Sequence, residues 1–153
     1  MIKEHEDLAG LLGVEEWILN SWGLVIKAGG GTVPKTTNAM YYAKGGVLSV
    51  ESAGDVAVLS GTILTDTFNV FVHYFDKATG TLGTTMWTAG ATLGAMVFPE
   101  ISTNYVVIGF TLISPTGTGS FVWGTTALDD ATVVPVAVYV NMNGVVYPNM
   151  VQA

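Results

Sequence analysis

The chain has few side chains that could act as catalytic acids, bases or nucleophiles. It contains two histidines, His5 and His73, and no cysteine. His73 lies in an apolar stretch, where general-base catalysis would require a carboxylate such as Asp55 or Asp76 to orient the ring. No serine occurs in a Gly-x-Ser-x-Gly context, so the spacing does not favour a serine nucleophile. The residues therefore favour a structural role for His73, held in a core or interface by a hydrogen bond.

Two carboxylate pairs and a triple glycine are the other features that could do chemistry. Glu15-Glu16 are neighbours on a predicted helix and therefore point in different directions. Asp129-Asp130 follow Thr126, which is typical of a capped turn, and the local sequence lacks the spacing of a calcium loop. Gly29-Gly30-Gly31 is followed by Pro34 and a predicted strand, whereas a phosphate loop needs Gly-Lys-Ser/Thr before a helix. We therefore predict no catalytic residue, no metal and no cofactor, and we expect that the protein is not an enzyme.

Charge is scarce, and its distribution excludes one class of partner. The chain is 11% charged, with a net charge of −7, five lysines and no arginine, and its mean hydropathy is +0.50. Nucleic-acid binding is not expected, because too few cations are present to neutralise phosphates. Ala78–Pro99, Ile101–Leu128 and Ala131–Ala153 contain no charged side chain. Gly, Thr and Pro interrupt them every few residues, so they are not membrane helices and no membrane partner is expected. A monomer of this size normally carries more charge, which indicates that copies of the chain or a larger assembly cover its surface.

The elements divide into an N-terminal arm and a β-rich body. Residues 1–22 are charged and repeat apolar residues at helical spacing, which predicts a short helical arm that docks on its own body or on a neighbour. Residues 23–153 are rich in valine, threonine and glycine and contain eight to ten predicted strands. Thr67–Phe75 is the strongest of these strands and is predicted to be buried on both faces. Asn104–Ile113 is another long predicted strand, and Ala39–Ala43 and Val47–Glu51 are predicted to form a hairpin around Lys44-Gly45-Gly46. The predicted fold is all-β, a β-sandwich or jelly-roll-like barrel.

The C-terminal half contains motifs that resemble a known group of proteins. Asn104–Ile113 runs into Gly119–Asp129, with the pattern Gly-x-Phe-x-x-Gly-Thr-Thr-x-Leu-Asp, and Thr36–Tyr42 precedes a Gly45-Gly46 turn. About half of the chain resembles small structural proteins of tailed bacteriophages. The resemblance implies a virion surface role, as a capsid decoration (cement) protein or a head-fibre or tail-fibre component. Many such proteins are trimers, and the family offers no catalytic residues.

These observations lead to one expected function and one alternative. We expect a capsid decoration protein at the capsid surface, which stabilises the head of a tailed phage by contacts with itself, as a homotrimer, and with the major capsid protein. The residues predicted to form the interfaces are apolar and lie in the arm and in two strands: Trp17, Ile18, Trp22, Phe71, Phe75 and Tyr105. The alternative is a receptor- or glycan-binding module of a head or tail fibre that uses Trp87 or Trp123 for stacking on sugars. A small hydrolase is the weakest class.

Overall fold

A computed structural model describes residues 16–44, 47–56, 62–63, 66–86, 89–97, 101–102, 104–114, 118–119, 121–122 and 124–142. Over these ranges the protein is an all-β fold with antiparallel sheets, which confirms the predicted class. The strands are β1 (Glu16–Ile18), β2 (Val25–Ile26), β3 (Pro34–Lys35), β4 (Met40–Lys44), β5 (Val47–Glu51), β6 (Thr62–Ile63), β7 (Asn69–Asp76), β8 (Thr81–Met86), β9 (Tyr105–Ser114), β10 (Phe121–Val122) and β11 (Val136–Asn141). A single 3-10 turn, Leu93–Ala95, is the helical element among the described residues. No helix in these ranges has the length and hydrophobicity needed to span a bilayer.

The largest sheet has four strands in the order β11–β9–β7–β8. β7 pairs with β8 on one side and β9 on the other, and six of its eight residues are buried. The prediction that this stretch is a central strand with two buried faces is therefore confirmed. β-Branched and aromatic residues favour such a position, because their side chains fill the space on a pleated surface.

A register shift interrupts the pairing of β9 with β7 beside a run of four buried residues, Val106 to Gly109. His73 of β7 pairs with Gly109, whereas Tyr74 pairs with Val107, so Ile108 has no partner across the ladder. An extra residue of this kind interrupts the alternation of side chains between the two faces. Val106, Val107 and Ile108 all belong to the hydrophobic core, as expected for a strand that is covered on both faces.

The second sheet has the order β1–β4–β5, and its inner face completes the core. Ile18, Met40 and Tyr42 point inward and are at most 8% exposed. The ring of Tyr42 lies 6.3 Å from that of Trp22 and 5.9 Å from that of Phe75, which belongs to the four-stranded sheet. The two sheets are thus held together by aromatic contacts, and burial of each such side chain contributes about 1.5–3 kcal/mol.

A second cluster of buried residues includes Phe71, which lies between Val70 and Val72 of the first cluster and points to the opposite face of the four-stranded sheet. The rings of Phe71 and Phe121 meet edge-on with centroids 5.8 Å apart. Ile113, Leu128 and Val134 are buried with them. Residues after β9 therefore contribute to the core through a loop and a short strand as well as through β11.

The helical expectation for residues 16–22 is wrong. Glu16–Ile18 form a strand that pairs antiparallel with β4, and Trp22 is fully buried. The spacing of Trp17, Ile18 and Trp22 fits one face of a helix, but pairing with β4 and burial of Trp22 outweigh that local preference. These residues belong to the β body, and the rest of the predicted arm, residues 1–15, lies outside the described residues.

Candidate interaction surface

His73 is the feature that sequence alone could connect with catalysis, and it lies in the interior of the sheet. Its Nδ1 is 2.8 Å from Thr84 Oγ1 on β8, and its Nε2 is 2.6 Å from Thr111 Oγ1 on β9. The neutral ring has one N–H and one free nitrogen, so one hydroxyl accepts a hydrogen bond and the other donates one. The side chain is 0% exposed. Burial lowers the pKa of His73 to about 3, so the ring is neutral at physiological pH and connects three strands.

The carboxylates that could have oriented His73 have other partners. Asp55 forms an ion pair with Lys27, with Oδ2 and Nζ 2.5 Å apart and both side chains about half exposed. Asp76 Oδ1 accepts a hydrogen bond from the Ala78 N–H at 2.8 Å, within a turn. Neither contact positions an acid or base beside the imidazole ring.

Asp129 and Asp130 organise loops. Both oxygens of Asp129 accept a hydrogen bond from the Gly30 N–H, at 2.9 and 3.1 Å. Asp130 Oδ1 accepts from the N–H groups of Thr132 and Val133, so Asp130 caps the turn that leads into β11. The backbone amide at the centre of the triple glycine is therefore bound to a carboxylate of the same chain. Among the described residues, no group of three or more His, Asp or Glu side chains could hold a metal ion.

The structure places most of the predicted interface residues inside a single chain. Ile18, Trp22, Phe71 and Phe75 are between 0% and 8% exposed and form the two core clusters. Their surface is covered by the same chain, where they stabilise the fold, and their predicted role at an interface stays a prediction.

The remaining aromatic predictions have different outcomes. Tyr105 is partly exposed and stacks on Tyr74 with ring centroids 4.0 Å apart. Burial is the first cause that raises the pKa of Tyr74 to about 12, followed by its hydrogen bond with Tyr105. The side chain of Trp17 lies outside the described part of the chain, as do Trp87 and Trp123, the predicted sugar-stacking residues.

The outer face of the β1–β4–β5 sheet is apolar and exposed. Tyr41 lies opposite Val50, and Ala43 lies opposite Leu48, so these residues share one face. Leu19 donates its N–H to the Tyr41 carbonyl at 2.9 Å and lies beside Tyr41 on the same face. Leu19, Tyr41, Leu48 and Val50 are 52%, 47%, 67% and 56% exposed. We call these four residues the outer apolar face.

The outer apolar face has the area of an apolar patch that commonly takes part in interactions. Four large apolar side chains at half exposure present on the order of 400 Å². That area matches the largest apolar patch on a typical monomer, and such patches often mark interaction sites. Apolar residues point to both sides of this sheet, and the described residues cover the inner side only. The outer side of this sheet is therefore a surface on which a second layer of structure could pack.

A row of valines on β11 forms a second exposed apolar region. Val136, Val138 and Val140 are 52%, 41% and 44% exposed and alternate with half-buried residues. Two of them lie opposite half-buried Phe110 and Leu112 of β9. No charged side chain occurs in β9 or β11. The charge-free stretches of the sequence are thus found on the surface as well as in the core.

Sequence reasoning missed the outer apolar face, although one signal was present. Ala39–Ala43 and Val47–Glu51 were predicted as the two strands of a hairpin, and the structure pairs Met40–Lys44 with Val47–Glu51. Leu48 and Val50 share one face and Val47 lies on the other, so β5 lacks the alternation of polar and apolar residues that a strand exposed on one side normally has.

Comparison of the chain with protein-family models, curated proteins and solved structures finds no match.

Proposed function

We propose that this protein is a structural component that acts by self-association and by binding to a larger assembly, as a capsid decoration (cement) protein of a tailed-phage virion. The observation that carries the proposal is the outer apolar face, four large apolar side chains that the described part of the chain leaves half exposed. The row of valines on β11 adds a second apolar surface. Interfaces of obligate assemblies are depleted in charge and rich in aromatic and aliphatic residues, as these surfaces are.

The energetics favour an assembly with several contacts over a single tight pair. Burial of about 400 Å² at about 25 cal/mol per Å² contributes about 10 kcal/mol for each copy. Association costs about 4–15 kcal/mol in lost translational and rotational freedom. One face therefore supports weak binding by itself, whereas a ring or shell in which each copy makes two or more contacts is strongly stabilised.

The virion context is supported by the resemblance of Asn104–Asp129 and Thr36–Tyr42 to phage structural proteins. A cement protein binds the assembled shell and not its free subunits, so it stabilises the shell by mass action. Such a protein needs a stable core and apolar binding surfaces, and it needs no catalytic group. A homotrimer at the capsid surface, in contact with the major capsid protein, is the form that we propose.

Sedimentation experiments test this proposal in two steps. The purified chain is first centrifuged over a wide dilution series, where we expect a concentration-dependent oligomer. It is then mixed with shells assembled from the major capsid protein encoded in the same genome, where we expect saturable co-sedimentation and a higher melting temperature of the shell. A monomer at every concentration that stays in the supernatant would refute the proposal.

A matched pair of variants tests the part played by the outer apolar face. The double substitution Tyr41→Thr with Leu48→Thr makes this face polar, and we expect at least a tenfold loss of shell binding. Leu93→Thr serves as the control, because Leu93 lies outside this face and its exposure of 52% falls between the 47% of Tyr41 and the 67% of Leu48. Equal binding by the double variant and the control would show that the face is not the binding surface.

A further inference from the structure

The free edge of β5 lacks the features that normally keep a strand from pairing with another chain. β5 is the outermost strand of its sheet in the described part of the protein. Val47–Glu51 contains no proline and no lysine, and its register with β4 continues from Val47 to Glu51 without a shift. Proteins usually protect an exposed edge with lysine, proline, a bulge or a covering segment. β5 contains none of the first three, and no strand in the described part of the chain pairs with its outer edge.

The directions of the backbone N–H and C=O groups in β5 also favour pairing at this edge. Opposite Val50, the Tyr41 N–H donates to Asn20 Oδ1 and the Tyr41 carbonyl accepts from the Leu19 N–H, both at 2.9 Å. Both groups of Tyr41 therefore point toward β1 and away from β5. In an antiparallel ladder, pairs that exchange hydrogen bonds alternate with pairs whose groups point away from each other. Val50, and Leu48 two residues earlier, thus direct their N–H and C=O groups outward to the free edge.

We propose that β5 pairs antiparallel with β5 of a second copy of this chain, about a two-fold axis that passes at Ser49. In this register Leu48 of each copy lies opposite Val50 of the other. Each of these two pairs exchanges two backbone hydrogen bonds, so four bonds form across the axis. The outward-pointing groups of Leu48 and Val50 are the ones that this register requires.

The side chains of β5 are also complementary to themselves in this register. Leu48 and Val50 are 67% and 56% exposed and meet as cross-strand apolar pairs. Glu51 lies opposite Val47, so the two Glu51 carboxylates are four residues apart along the strands, about 13 Å. This separation exceeds the screening length of roughly 8–10 Å at physiological salt, so their repulsion is small.

The argument for edge pairing is weaker for β11, the other strand with exposed valines. Pro135 immediately precedes β11, and the valines of β11 are less exposed than the apolar residues of β5. Pairing through β5 joins two three-stranded sheets into one of six strands and brings the outer apolar faces of the two copies side by side. The inference rests on the proposed self-association and deepens it by naming the contact. A two-fold contact makes a dimer, so a trimer would have to form through another surface.

A cysteine cross-link tests the register directly, because the natural chain has no cysteine. In the proposed pair, the Cα atoms of the two Ser49 residues are about 4.5 Å apart, within the range that a disulfide spans. Ser49→Cys should therefore give a covalent dimer under mild oxidation. Val47→Cys is the matched control on the same strand and face, because its Cα atoms would be about 13 Å apart. We expect at least tenfold less cross-linking for Val47→Cys.

Two substitutions at Val50 test the backbone pairing without cysteine. Val50→Pro removes the outward N–H and should raise the dissociation constant of the dimer at least tenfold. Val50→Thr keeps the β-branched shape and the N–H but loses apolar contact, so it should weaken the dimer clearly less than Val50→Pro does. An edge strand tolerates proline where its N–H faces solvent, and circular dichroism checks that the variant is folded.

The outcomes separate this inference from the proposed function. Selective cross-linking at Ser49 with loss of the dimer in Val50→Pro supports the edge pairing. Equal cross-linking at the two positions, no cross-linking, or a trimer unaffected by Val50→Pro would overturn it and leave self-association intact. A natural protein that is monomeric at all concentrations would overturn both.

Discussion

Acidification should destabilise this protein through His73. The folded protein holds the ring neutral, with a pKa of about 3, because burial penalises the charged form, whereas the unfolded chain has the ordinary pKa of 6.5. Below pH 6.5 the His73 ring therefore binds a proton in the unfolded state but not in the folded state. The stability associated with the neutral ring is fully present above pH 6.5 and is lost as the pH falls toward 3.

The expected magnitude follows from the two pKa values. Each pH unit between 6.5 and 3 costs about 1.4 kcal/mol, so the free energy of unfolding should fall by about 2.5 kcal/mol between pH 7 and pH 4.5. This is a large part of the total of about 5–15 kcal/mol that is typical of a folded domain. The cause of the shift is burial of the ring, so added salt should change it little.

Urea unfolding of the natural protein and of His73→Gln at both pH values provides the assay. Glutamine can still hydrogen-bond to Thr84 and Thr111 but does not titrate. The carboxylates and His5 are present in both proteins, so their effects cancel in the comparison. We expect the natural protein to lose about 2.5 kcal/mol more than the variant. Equal losses, or an NMR titration of His73 near pH 6.5, would refute the reasoning.

Two further predictions concern packing and are measured by thermal or urea unfolding. Gly109→Ala should cost about 1–3 kcal/mol, because the new Cβ would collide with the Val140 carbonyl oxygen, whereas Gly94→Ala, with open space around it, should cost far less. Equal stability of these two variants would contradict the close approach of β11 to β9. Trp22→Ala should cost about 3–5 kcal/mol because Trp22 is 0% exposed, whereas Leu19→Ala, at 52% exposure, should change stability little in the dissociated chain. A Trp22→Ala protein that unfolds like Leu19→Ala would show that this ring does not belong to the core.

The strands that are long and strongly apolar were predicted well. Thr67–Phe75 was predicted and Asn69–Asp76 is observed, and Asn104–Ile113 was predicted where Tyr105–Ser114 is observed. In these segments β-propensity, burial and pairing favour the same structure, so the local pattern is a reliable guide. The hairpin of β4 and β5 was found for the same reason, helped by its Gly45-Gly46 turn.

Residues 16–22 show where local patterns are insufficient. Apolar residues at helical spacing predicted an arm, but Ile18 pairs with Tyr42 and Trp22 packs on the same ring. These partners lie about twenty residues away in the chain, and a window of one or two turns contains no information about them. Phe71 and Phe75 were predicted as interface residues, and their place in the core was missed for a related reason. Hydrophobicity indicates that a side chain is covered, but it does not indicate whether its own chain or a partner covers it.

By itself, the sequence determined that the body of this protein is all-β, that its central strand is buried on both faces and that very little charge is available for its surface. Those properties follow from residue type and period, which act over a few neighbouring residues. Only the tertiary structure decided that His73 lies between two threonines, that Trp22 belongs to the core and that Leu19, Tyr41, Leu48 and Val50 face outward. The physical reason is that the covered side of a sheet depends on which distant segments pack against it, and that choice is made by the whole chain.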